Sequence, residues 1–351
     1  MPSPKSNEII QKANEWLKDG LPFVIYRYPG DFWVRGIFQQ DTSLFTAPDF
    51  QVSGFLFAPF DTTGDMVLIP GKVHKGEIVP LQQTKTHQKA VDLSENGMET
   101  YLELIKKTVS EIQESEVRKI VISRRIQRRT KKSPVAIISN LLAKYPNAFC
   151  YWWYHPKVGM WLGATPERLL TYKNGELFTT SLAGTLPAEK GIAPKWTPKE
   201  REEQQMVTHY ILKSLEGKVE NLQVSEQKNV RAGGLWHLKS EIQGRLDSKK
   251  DLYGIVNELH PTPAVCGLPK TRALDFILNY EGYDREFYTG FLGTLNVEGK
   301  EEMDLFVNLR CFKYDDGNAQ IFVGGGITSA SDPQKEWEET QFKSKTILDV
   351  L

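Results

Sequence analysis

Apolar positions along the chain fall into two rhythms. Residues 6–18 read as a first helix. Within 93–116, Met98, Tyr101, Leu102, Ile105, Val109 and Ile112 recur every three or four positions, which predicts an amphipathic helix. The next stretch, 117–124 (VRKIVISR), is β-branched and predicts a strand. Strand-like runs also occupy 22–28 and 54–60. A helix at about 134–144 precedes FCYWWYHP and MWLGAT, two strand-like runs joined by a Pro-Lys-Val-Gly turn. LLTYK and ELFTTSLAGT flank Asn174-Gly175, a strong two-residue hairpin signal. Helical periodicity returns at about 199–215, 248–258 and 270–280. Strands predicted at 290–297 and 305–314 then lead to IFVGGGI and a final helix from about 333.

Hairpins thus alternate with helices, without the strict βαβ rhythm of a doubly wound fold. The pattern predicts an α+β architecture with large antiparallel sheets. No repeat, low-complexity tract or clear linker divides the chain, so residues 1–351 are expected to form one large domain.

Composition changes the picture chiefly by exclusion. The 351 residues carry 44 Lys+Arg against 44 Asp+Glu, with no basic stripe of the kind that holds nucleic acid by its phosphates. Eight Trp, 13 Tyr and 17 Phe argue against a disordered chain. Cys150, Cys266 and Cys311 are too few and too scattered for a disulfide framework or a thiolate zinc site. They read as buried reduced thiols. No run of 18 apolar residues predicts a membrane span, and the N-terminal segment lacks the apolar core of a secretory signal. A cytoplasmic protein is expected. With no coiled coil or amphipathic arm, it is expected to be a monomer.

Candidate chemistry begins with two helices. Stepping back at helical spacing from Val207 on the inward face gives Glu203, then Glu200. The last helix repeats this: Ile347 and Lys343 step back to Glu339 and Glu336. Glutamates in a first turn are favoured by the helix dipole and ordinarily face water. Two such pairs, each extending a buried face, also suit a hard cation such as Mg²⁺. Lys119 lies inside an apolar strand. It reads either as an edge or snorkelling lysine or as a desolvated general base. Glu167, after a Pro at a strand end, reads as a turn carboxylate paired with Arg168. Gly324, Gly325 and Gly326 read as a turn at a strand end, exposing N–H groups to an anion. Of six His residues, only His237 and His260 lie inside dense motifs.

Eight segments together resemble the chorismate-utilising enzymes (anthranilate, aminodeoxychorismate, isochorismate and salicylate synthases). They are KIVISR (119–124), GATPERLL (163–170), SLAGTLP (181–187), LWHLKSEIQG (235–244), LHPTPAVCGLPKTRA (259–273), DREFYTGFLG (284–293), LRCFK (309–313) and GGGITSASDPQKEWEETQFK (324–343). Their order and spacing are those of the family. Residues 91–351 would form the family core, and 1–90 carry little of the match beyond FAPFD at 57–61.

The resemblance implies one domain of two packed, mainly antiparallel sheets flanked by helices, and Mg²⁺-dependent chemistry on chorismate. It implies that Lys119 is the base that activates water for attack on ring C2. Glu167 would be the acid that protonates the departing C4 hydroxyl. Glu203 and Glu339 match metal-associated carboxylates, with Glu200 and Glu336 as neighbours. Arg310 and Lys343 match cations that hold substrate carboxylate, with Tyr288 beside them and backbone amides at Gly324–Gly326 assisting. His237 would lie near the ring, and Gly184 and Thr185 near the C4 hydroxyl. Ala264 in HPTPAV, together with Lys119, looks like the isochorismate-forming branch. A salicylate synthase, an ammonia-using synthase subunit and a non-catalytic chorismate-binding protein are the alternatives.

Overall fold

All five side chains from Phe149 to Trp153 are completely buried. Successive side chains of a strand point to opposite faces, so this strand must be covered on both sides. The computed structural model, which describes residues 5–78, 97–187, 193–232, 235–246 and 251–351, shows how. The strand lies in a nine-stranded sheet ordered 267–268, 119–129, 318–327, 311–315, 159–165, 149–155, 23–27, 33–38 and 74–77. A second sheet runs 220–224, 235–245, 176–187, 168–173, 302–307, 291–295, 54–58, 67–69 and 45–46, with 228–232 also paired to 235–245. Every strand pairing within the two sheets is antiparallel.

An aromatic layer fills the space between the sheets. Tyr26, Phe149, Tyr151, Trp153 and Trp161 of the first sheet meet Phe55, Phe57 and Phe306 of the second. Phe149 and Phe306 stack with centroids 4.2 Å apart. Among the described residues seven α-helices flank the sheets: α1 (Ser6–Lys18), α2 (Met98–Glu114), α3 (Pro134–Lys144), α4 (Pro198–Leu215), α5 (Leu252–Leu259), α6 (Lys270–Tyr280) and α7 (Pro333–Leu348). Ile9, Ala13, Ile137 and Leu141 of α1 and α3 cover the outer face of the first sheet. Val207, Ile211, Ile255 and Leu259 of α4 and α5 cover the second. Tyr101, Ile105, Phe276 and Trp337 of α2, α6 and α7 pack on Ile120, Ile122 and Ile327 at one end.

Local sequence explains several boundaries. Ser133 accepts from Ala136 N–H and Pro134 opens α3, the expected cap and first-turn residues. Asn174 and Gly175 both take positive φ (52° and 82°), as a primed hairpin turn requires. The three cysteines are free and buried. No helix among the described residues is long and apolar enough to cross a membrane.

Four expectations need correction. The strand predicted at 117–124 runs from Lys119 to Arg129 and pairs along its length with 318–327. The run 305–314 is two strands in different sheets, Glu302–Val307 and Cys311–Asp315, because the chain crosses over at 308–310. The triple glycine is not a turn. It lies within a strand, with Gly324, Gly325 and Gly326 opposite Ser123, Ile122 and Val121. Strands at 220–224, 228–232 and 235–245 were not predicted; the first is largely exposed and polar, so it shows little apolar alternation. Parts of the helices expected at 93–116 and 248–258 lie outside the described residues.

Candidate active site

The crossover at 308–310 opens onto a cavity of about 120 Å³. It is bordered by the 119–129 and 318–327 strands, the turn at 166–167, residues 182–185, α4, the 264–265 loop, Tyr288, and α7. Every candidate from the sequence borders this one space: Lys119, Glu167, Gly184, Thr185, Glu200, Glu203, His237, Ala264, Tyr288, Arg310, Gly324, Gly325, Gly326, Glu336, Glu339 and Lys343.

The glycines are needed for close approach. A Cβ on Gly326 would lie 2.6 Å from Lys119 Cε and 3.2 Å from Glu203 Oε1. One on Gly325 would face Glu336 Oε2 at 3.4 Å and Glu339 Oε1 at 4.0 Å, and one on Gly324 would meet Tyr288 OH at 3.1 Å. Three bare backbone units thus let a lysine, three carboxylates and a phenol crowd onto one strand.

Lys119 is 1% exposed, and its Nζ is 2.7 Å from Glu203 Oε1. The edge-lysine reading therefore fails. Lys343 Nζ pairs with Glu339 at 2.6 Å and donates to Gly324 C=O at 2.9 Å. Glu336 accepts from Ser331 Oγ at 2.7 Å. Glu200 closes a capping box at the start of α4, accepting from Thr197 N–H at 2.9 Å and from Thr197 Oγ. Among the described residues, no three carboxylates or imidazoles are grouped as ligands of one ion. Mg²⁺ often uses only one or two protein carboxylates, with water and an anionic substrate completing its shell. The all-oxygen donors of Glu203, Glu336 and Glu339 fit that chemistry.

Glu167 does not pair with Arg168, whose guanidinium reaches across to Asp304. It stays 7% exposed, and burial raises its carboxyl to about 7 against the opposing pull of Lys119, Lys343 and Arg310. It can therefore hold a proton near neutrality. His237 moves the other way: burial, with Arg310 and Lys343 nearby, lowers it to about 3. The imidazole is neutral. Its Nδ1 lies 3.0 Å from Gly184 C=O, which can only accept, so Nδ1 carries the hydrogen and Nε2 is an acceptor. Nε2 is buried and has no hydrogen-bond partner among the described residues.

Arg310 is held by a left-handed backbone (φ 49°) where the chain changes sheets. Its Nη1 is buried without a partner among the described residues, and burial depresses its ordinary basicity. A buried guanidinium with an unused donor is suited to an anion supplied from outside. The cavity thus combines an acid, a lysine, a neutral imidazole acceptor and an anion-directed arginine. Sequence reasoning missed several other wall residues, including Val121, Val265, Thr289 and Leu309. All four lay inside quoted motifs, but nothing in their side-chain chemistry marked them.

Comparison with known proteins identifies the family. Residues 70–349 match the family described as chorismate binding enzyme. The isochorismate synthase EntC of Escherichia coli strain K12 is 31% identical over 264 residues, covering 72% of this chain and 67% of that protein. A solved structure described as the 2,3-dihydroxybenzoate-specific isochorismate synthase DhbC of Bacillus anthracis superposes with a TM-score of 0.81 at 22% identity, covering 97% of this chain and 99% of that one. MenF, the menaquinone-specific isochorismate synthase of Escherichia coli, gives 0.76 at 21% identity over 94% and 88%. The match along most of its length and the shared two-sheet fold place this chain in the chorismate-binding enzyme family.

Proposed function

We propose that the protein is a cytoplasmic, monomeric, Mg²⁺-dependent isochorismate synthase that feeds menaquinone or siderophore biosynthesis. Water would add at ring C2 of chorismate, the double bonds would shift, and the C4 hydroxyl would leave as water. The supporting observation is Glu167, a carboxyl that keeps its proton near neutrality in the same cavity as Lys119. Relatives named isochorismate synthases support the same reading.

The reaction needs one proton removed and one delivered. Lys119 Nζ, as the neutral amine, would take a proton from the attacking water, and protonated Glu167 would give one to the departing hydroxyl. Arg310 and Lys343 would bind carboxylate, with Arg310 Nη1 supplying an unused donor. His237 Nε2 would accept a hydrogen bond from a substrate hydroxyl. One or two carboxylates among Glu203, Glu336 and Glu339 would hold Mg²⁺, with water and substrate carboxylate completing its shell, and the ion would supply electrostatic stabilisation and orientation. Glu200 would support them through the α4 cap.

Purified protein incubated with chorismate and Mg²⁺ tests the reading when products are resolved by chromatography. Isochorismate alone is expected. Salicylate with pyruvate would replace the assignment by a salicylate synthase, and an aminated ring in the presence of ammonium would make it a nitrogen-transferring member. No turnover at all would leave a chorismate-binding protein.

A further inference from the structure

Several stretches of the cavity wall meet at one guanidinium. Arg285 is 3% exposed. Its Nε donates to Glu281 Oε1 at 2.8 Å, and Nη2 donates to Glu281 Oε2 at 2.5 Å and Val121 C=O at 2.7 Å. Its Nη1 donates to Val265 C=O at 3.0 Å and Thr289 Oγ1 at 3.2 Å. All five donors of the fork are matched. Glu281 in turn accepts from Ser123 N–H at 3.2 Å and from the Ser123 hydroxyl. Val121, Val265 and Thr289 all line the cavity.

Thr289 is the anomalous member. A turn closed by Gly290 N–H to Phe287 C=O (3.1 Å) places it third, at φ 61°. Gly or Asn normally fills such a position. A β-branched residue there is an outlier, held only when its surroundings over-determine it. Its hydroxyl explains the exception. It donates to Tyr288 C=O at 2.6 Å and accepts the fifth N–H of Arg285. Its own N–H reaches Asn308 C=O at 2.9 Å, two residues before Arg310. Tyr288 stacks on Phe322 with centroids 5.3 Å apart, and its hydroxyl stands over Gly324.

We propose that Thr289 is a positioning residue. Its hydroxyl, seated on the buried Glu281–Arg285 pair, fixes Tyr288 and the Asn308–Arg310 crossover against the reacting ring. This rests on the chorismate reading above. Thr289 itself need not touch the substrate.

Thr289→Val keeps the branched shape and removes only the hydroxyl, whereas Thr289→Ser keeps the hydroxyl and removes the branch. With chorismate and Mg²⁺, Thr289→Val should lower kcat/KM at least tenfold, mainly through KM, with an unchanged near-ultraviolet circular dichroism spectrum. Thr289→Ser should stay within twofold of wild type. If Thr289→Val does not fold, Thr289→Gly, which lacks the hydroxyl but relieves the backbone, should show the same tenfold loss. Wild-type kinetics in the hydroxyl-free variant would overturn the positioning role, as would a Thr289→Ser protein as defective as Thr289→Val. A wild-type protein inert toward chorismate would instead overturn the reaction reading and this inference with it, so the two failures are told apart by the wild-type arm.

Discussion

Lys119 Nζ sits 2.7 Å from Glu203 Oε1, and both border the same glycine, Gly326. The strand that carries the lysine and the helix that carries the glutamate are 84 residues apart in sequence. On the proposed reading, this is where the attacking water would lose its proton. Lys119→Ala should abolish hydration of chorismate, a loss of about 10²–10⁴-fold for a general base, while far-ultraviolet circular dichroism stays native. Wild-type turnover in that variant would refute the base assignment.

Gly326 tests the same contact from the other side. A methyl there would lie 2.6 Å from Lys119 Cε, so the lysine would have to leave its place. Gly326→Ala is expected to lose about 10²-fold in kcat, the scale of an ångström-level misplacement. The check is a kinetic assay run beside a melting curve.

The raised carboxyl of Glu167 predicts a pH dependence. In the proposed role of acid catalyst it must be protonated, so kcat should fall as pH rises through about 7. Stability follows the same direction. The folded state holds this proton more tightly than the unfolded one, whose ordinary value is 4.5. The stabilisation is therefore fully present below that value and is lost as pH rises through about 7. Glu167→Gln should be nearly inactive at every pH and should flatten the melting temperature between pH 4.5 and 7. An unchanged slope would point to other groups.

Glu339 tests the proposed Mg²⁺ site. Glu339→Gln should raise the Mg²⁺ concentration needed for half-maximal activity and weaken substrate binding together, read from Mg²⁺ titrations at several chorismate concentrations. An unchanged titration would remove Glu339 from the metal site.

The Glu281–Arg285 pair makes a stability prediction. Removing one partner leaves a buried charge, which costs about 3–5 kcal/mol, whereas replacing both by apolar residues is often far milder. Arg285→Met should thus melt well below Glu281→Leu/Arg285→Met. Equal losses in urea denaturation would contradict the pairing.

Much of this was legible because the signals were local. The bounds of α1, α3 and α6 follow from periodicity, with a Ser133 cap at α3, and Asn174-Gly175 marked its hairpin. The candidate side chains could be read from short motifs, each of which the fold delivers to the cavity as a unit. What was illegible depends on distant partners. The apolar run through 305–314 gives no hint that it changes sheets, because both halves are strands and both are buried. Glu167 lies next to Arg168 in sequence, yet Asp304 takes the arginine and leaves the acid alone. Glu281 and Arg285 stand four apart, the spacing of an ordinary surface ion pair. Only the packing of three segments around them reveals a buried device.

The pairing of 119–129 with 318–327 joins segments separated by about two hundred positions. During synthesis, Lys119 emerges early, but Gly326, Glu339 and Lys343 emerge more than two hundred residues later. A partial chain that stops short of Gly326 lacks the strand against which Lys119 packs. The nascent protein therefore carries this buried lysine without its final surroundings until the 318–327 strand has been made, and activity that on the proposed reading also needs Glu339 and Lys343 should arrive only with α7.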